Sequence, residues 1–174
     1  MNTACEHEEF EFLDFSILRG NGLDLVLCDV VDAEFEDGRA PMYCFEIRLE
    51  GQSGHIGDLS LCVGEGGQVG LEGQLSYEID EEFQGNHYSS KACRVAAELA
   101  RAHGMREVWI VVSPENIAAC RTAERLGAKL VEQVEVPEDS ELYRQGQRHK
   151  NRYCWRIDRL QKMEVGLRGQ KNCV

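Results

Sequence analysis

The clearest signal along the chain is an alternation of apolar and polar residues in short separate runs. Tyr43, Phe45, Ile47 and Leu49 share one face of an extended segment, and Cys44, Glu46 and Arg48 share the other. Side chains of a strand point alternately to its two faces, so this run predicts a half-buried strand. Gly51-Gln52-Ser53-Gly54 supplies a turn, and Leu59, Leu61 and Val63 then alternate with Asp58, Ser60 and Cys62. The two runs together predict an antiparallel hairpin. Leu23–Leu27, flanked by Gly20 and Gly22, reads as an earlier strand, and Glu34 to Gly38 as an acidic loop. Leu75, Tyr77 and Ile79 mark a further strand over residues 74–80, opposite Ser76, Glu78 and Asp80.

After Gly85 the period lengthens. Ala92, Cys93, Ala96, Leu99 and Ala100 fall on one face of a helix over residues 88–103, with Gly104 as its stop. Arg106 to Val112 is a strand apolar on both faces, which suits the centre of a sheet. Ser113-Pro114 offers an N-cap and a first-turn proline for a second helix, running to Leu126 and closed by Gly127. Strands follow over Lys129 to Val136 and Tyr153 to Ile157, and residues 159–174 form a polar tail. A right-handed crossover sets strands 74–80 and 106–112 parallel, with antiparallel hairpins around them. The expected class is α/β: a mixed, mostly antiparallel sheet with a central parallel strand pair flanked by helices. No repeat or proline-rich linker divides the chain, so residues 1–158 are expected to form one domain.

Composition then limits the function. The net charge is -12, and it is uneven: residues 1–143 carry 29 acidic and 10 basic side chains, residues 144–174 carry 2 and 9. An acidic body repels phosphates, so no nucleic-acid partner is expected. The longest apolar run, Val108 to Val112, is five residues, where a membrane span needs about 20. The acidic N-terminus lacks a signal pattern, so a cytoplasmic location is expected and no membrane partner. Eight cysteines lie at least sixteen residues apart. Without a C-x-x-C pair they suggest reduced apolar fillers, and no metal site is expected.

Chemistry concentrates in Ile79-Asp80-Glu81-Glu82-Phe83-Gln84-Gly85-Asn86-His87-Tyr88-Ser89. A strand ends, a polar loop follows and a helix begins, which aims several backbone N–H groups and the positive end of a helix dipole at one spot. Such a spot binds phosphate, although an ordinary strand-to-helix connection reads the same locally. Gly64 to Gly73 comes near a dinucleotide fingerprint, but Val69 stands at the third glycine place and a strand follows, so it reads as a loop.

From about Leu75 to Glu132 the sequence resembles the GNAT superfamily of N-acetyltransferases. Ile79 takes the valine place of the family pattern V-x-x-x-x-[QR]-x-x-G-x-[GA], Gln84 takes the Gln/Arg place, and His87 and Ser89 stand at the two glycine places. Asn116 to Ala128 resembles the second signature, an N-x-x-[AS] run followed by Gly127. Tyr77-Glu78-Ile79, Phe83-Gln84-Gly85-Asn86 and Glu124-Arg125-Leu126-Gly127 are most like the branch that includes ribosomal-protein N-terminal acetyltransferases. The resemblance implies the acyl-CoA N-acyltransferase fold and acetyl-CoA as co-substrate. The loop Gln84, Gly85, Asn86, His87, Tyr88 and Ser89 would cradle the pyrophosphate, with Lys91 and Arg94 near the 3′-phosphate. Ile79 and its strand would pair with pantetheine, and Asn116 would face the pantetheine or the thioester.

The implied reaction is direct attack of a primary amine, on a small molecule or a protein N-terminus, at the thioester carbonyl, with a base to take the ammonium proton. Many members place a tyrosine acid seven residues after the Asn, where this chain has Ala123, and some a glutamate five residues before it, where it has Val111. Glu78 is the first candidate base and Glu72 the second, each also readable as a solvated carboxylate. Ser113 and Tyr143 are candidate partners of the leaving thiolate; Ser113 reads also as a simple N-cap and Tyr143 as a loop-packing tyrosine. A homodimer through an edge strand is common in the family. The alternatives are a catalytically weak acyl-CoA-binding protein of the same fold and an acidic protein-interaction module.

Overall fold

The computed structural model describes residues 10–33, 40–64 and 70–158. The acidic loop 34–38, the middle of the glycine-rich connection and the tail 159–174 lie outside them, as do Cys5 and Cys173. The elements run β1 (Ile17–Gly20), β2 (Leu23–Val31), β3 (Met42–Leu49), β4 (His55–Cys62), β5 (Leu75–Ile79), α1 (Tyr88–Ala102), β6 (Glu107–Val112), α2 (Ile117–Leu126), β7 (Lys129–Glu135), α3 (Glu141–Arg144) and β8 (His149–Arg156).

Strands β1 to β5 form one antiparallel meander in chain order, and β6, β8 and β7 form a second antiparallel sheet with β8 in the middle. The predicted hairpin is β3 with β4, in which Phe45 faces Leu59 and Tyr43 faces Leu61. Both pairs are buried, as the alternation requires. A bulge between Leu27 and Asp29 interrupts the β2–β3 register at Cys28. Helix α1 lies against the first sheet and α2 against β6 and β8. The inner face of α1 consists of Ala92, Cys93, Val95, Ala96, Leu99 and Ala100, all buried, and its small residues let the helix axis come close to the sheet. Among the described residues all six cysteines are free thiols.

Three expectations need correction. The strand Glu107–Val112 is apolar on both faces but does not sit within a continuous sheet, because among the described residues its ladder partner is β8 alone. Its other side faces β5 across a gap. Helix α2 starts at Ile117, not at Ser113: the Asn116 N–H donates to the Ser113 carbonyl at 3.0 Å, so Pro114 serves a tight turn and not a first helical turn. Asn116 is then the N-cap, its Oδ1 accepting from the Ala119 N–H at 3.0 Å. Strand β8 also begins at His149, four residues before the predicted Tyr153.

Candidate active site

The site lies where β5 and β6 fail to pair. Gln74, buried just before β5, pins the two strands at one point. Its N–H donates to the Trp109 carbonyl at 2.8 Å, its Oε1 accepts from the Trp109 N–H at 2.9 Å, and its Nε2 donates to the Gly64 carbonyl at 2.7 Å. Gly73 permits this approach. Its φ is +76°, and a Cβ there would stand 2.9 Å from the Val111 nitrogen and 3.1 Å from the Trp109 oxygen. Beyond this point no ladder joins the strands. Both lead to helix N-termini that wall the same cleft, so they run parallel.

The gap leaves backbone groups unused. The Asp80 N–H donates across to the Ile56 carbonyl on β4 at 3.0 Å. By the alternation of an antiparallel ladder, the even-numbered residues of β5 direct their polar groups to β4, and Leu75, Tyr77 and Ile79 direct theirs into the gap. The Ile79 carbonyl is taken by the Gln84 Nε2 at 2.9 Å; the rest form an open strand edge.

At the end of β5 a short turn, Glu81–Phe83, leads to α1. Gly85 has φ +83° and His87 has φ +62°, so two left-handed residues curl the loop. Among the described residues, no hydrogen bond is made by the backbone N–H groups from Gly85 to Ser90. Six consecutive amides at the positive end of a 15-residue helix form a concave anion site. Asn86 and Ser90 brace it through bonds to the Phe83 carbonyl at 3.1 Å and the His87 carbonyl at 3.0 Å. The histidine at a family glycine place thus adopts the backbone that glycine would supply there.

A cleft of about 650 Å³ joins these parts. It is lined by Glu78, Ile79, Gln84, Gly85, His87, Tyr88, Ser89 and Asn116, and further by Tyr77, Thr122, Arg121 and Arg125. Of the expected co-substrate residues, Asn86, Lys91 and Arg94 are not on its wall. Glu78 is brought to the cleft, whereas Glu72, Ser113 and Tyr143 do not line it. Ser113 donates to the Glu115 carboxylate, which lowers that carboxyl's pKa. Tyr143 lies under the Arg148 guanidinium, 3.8 Å from its ring centroid. Glu72 acts on Lys150, whose pKa burial lowers. Lys91 sits over the Tyr88 ring and Arg94 donates to the Arg125 carbonyl at 3.0 Å, so Arg121 and Arg125 are the cations of the cleft wall. Sequence reasoning missed them, although Ala118, Arg121, Thr122 and Arg125 share one helical face, which lines the cleft together with the predicted Asn116.

On the far side of β5 a second, shallower cavity of about 380 Å³ is lined by Cys28, Cys44, Asp58, Ser60, Ser76 and Glu78, and by Tyr77. Glu46, Asp58 and Glu78 stand opposite one another across β3, β4 and β5. Glu46 pairs with Arg48 and Asp58 with His55; Glu78 has no ion pair among the described residues. Tyr77 and Glu78 border both cavities.

The family model for the acetyltransferase (GNAT) domain matches residues 28–129. The chain belongs to this family. No curated protein matches the sequence. Among solved structures it is similar to RimL, a ribosomal L7/L12 alpha-N-protein acetyltransferase held with coenzyme A (TM-score 0.59, 18% identity, 82% of this chain and 98% of that one). It is similar to the Salmonella typhimurium acetyltransferase that modifies the N-terminal serine of ribosomal protein L7/L12 (TM-score 0.53, 23% identity, 71% and 67%). It is also similar to Mycobacterium smegmatis RimJ with CoA-disulfide (TM-score 0.55, 18% identity), where it covers 75% of this chain but only 59% of that one. At these identities the likeness establishes the fold.

Proposed function

We propose that this chain transfers an acetyl group from acetyl-CoA to a primary amine by direct attack on the thioester. The observation that carries the reading is the meeting, in one cleft, of the open β5 edge with the unbonded amides from Gly85 to Ser90. Pantetheine amides match a strand edge, as an added strand would. The pyrophosphate matches the amide cradle, with Arg121 and Arg125 as its cationic wall. The carboxylates of the far cavity suit a positively charged acceptor, and Glu78 would take the ammonium proton on that side. A small amine and a protein N-terminus both fit an acceptor of this kind.

Four of the cysteines are poor alternatives as nucleophiles. Burial raises the pKa of Cys44, Cys62 and Cys93, and that of Cys154 to about 11, which keeps these thiols protonated near neutrality.

The test is thiol release from acetyl-CoA with a panel of primary amines, alongside thermal shift with CoA. Release with at least one amine is expected. A thermal shift without turnover on any amine would favour the weak binding protein, and no shift at all would favour the interaction module.

A further inference from the structure

Tyr77 lines the cleft, and its hydroxyl is buried and makes no hydrogen bond among the described residues. Thr122 on α2 acts on it from close by. That pair falls outside hydrogen-bond geometry, and the Thr122 hydroxyl gives its own proton to the Ala118 carbonyl at 3.0 Å. Cys93 and Cys120 share the same interior, and sulfur is a weak acceptor. Buried polar groups without partners are rare in folded proteins and costly. An unpaired phenol bordering a ligand-sized cleft therefore points to an acceptor that arrives with the ligand. The Gln84 amide, by contrast, is already committed to Ile79.

Successive residues of a strand point to opposite faces. Glu78 projects to the far cavity, and Tyr77 to the side of α1 and α2, where Leu75 and Ile79 are buried. Across the gap, a base for the amine and a donor for the leaving group would thus stand on the two faces of one strand. Resting on the acetyl-CoA reading above, we infer that the Tyr77 hydroxyl donates a hydrogen bond to the thioester sulfur and holds the charge that collects there. The amine nitrogen bonds to the carbonyl carbon, the C–S bond breaks and its electron pair stays on sulfur. One ammonium proton goes to the Glu78 carboxylate before attack; the second leaves the nitrogen as the amide forms and passes through water to the departing thiolate, while Tyr77 keeps its own proton. Burial raises the Tyr77 pKa, so it remains a donor across the working pH range.

The test compares Tyr77→Phe with the wild type by titration calorimetry against CoA and desulfo-CoA, which lacks the sulfur. The wild type should prefer CoA by about five- to tenfold, the size of one hydrogen bond, and Tyr77→Phe should bind the two alike. Turnover of the variant should fall, and its Tm should not drop, since no internal partner is lost. An unchanged preference for CoA, an equal loss of affinity for both ligands, or a clear fall in Tm would each overturn the inference. If the wild type bound neither ligand, the co-substrate reading itself would fail, and this inference with it.

Discussion

Individual side chains in this molecule are set by what their neighbours leave them to do. In the row of carboxylates on the outer sheet face, Glu46 pairs with Arg48 and Asp58 with His55, and Glu78 has no ion pair among the described residues. Glu78→Gln should therefore cut turnover by about 10²-fold or more with little change in KM for acetyl-CoA, as steady-state kinetics would show; near-wild-type turnover would remove Glu78 from the mechanism. His103 illustrates the opposite case. The Tyr43 hydroxyl accepts from the Leu13 N–H at 2.8 Å and lies 2.7 Å from the His103 Nε2, so the neutral ring can accept the phenol proton. Burial lowers the His103 pKa. The unfolded chain then binds a proton that the folded one resists, so this contribution to stability is present above about pH 6.5 and fades as the pH falls below it. His55 works with the opposite sign, because Asp58 and Asp80 raise its pKa. That group is exposed, so its effect is screened and small. Denaturant melts at pH 7.5 and pH 5 should show a larger acid loss for the wild type than for His103→Gln.

At the scale of elements, the decisive feature is that β5 and β6 touch once and then part. Gly73→Ala would strain a left-handed backbone and drive a methyl group into β6. We expect a loss of roughly 1–3 kcal/mol in denaturant unfolding, with weaker CoA binding; an unchanged midpoint would show that the pin is not needed. Much of this scale was legible in the sequence. The runs 43–49 and 75–79 alternate because each buries one face and exposes the other, and Gly127 closes α2 in the left-handed conformation expected of it. The cradle was legible through Gln84 and the loop after it. Strand β1 was not, since four residues are too few to display a period. The start of α2 was misplaced because Ser113-Pro114 carries the chemistry of both a cap and a turn, and only the Ser113–Asn116 bond decides between them. Tyr77 and Arg121 escaped because their roles depend on a gap between two strands that no local pattern encodes.

Across the whole molecule, charge and ligand site are uncoupled. The chain carries -12, yet the cleft offers a dipole end, open amides and two arginines to a polyanion. The net field bears on the acceptor instead. For a polycationic amine that proves to be a substrate, kcat/KM should fall as salt rises from 0.05 to 0.5 M, by roughly threefold or more; flat salt dependence would argue against steering. The central claim, that the α1 cradle holds the pyrophosphate of acetyl-CoA, is tested most directly by titration calorimetry of the unaltered chain with acetyl-CoA and with acetyl-pantetheine, which lacks the pyrophosphate and nucleotide. Charge-assisted bonds to the amides predict that acetyl-CoA binds at least about tenfold more tightly; equal affinities, or no binding of acetyl-CoA, would contradict the account.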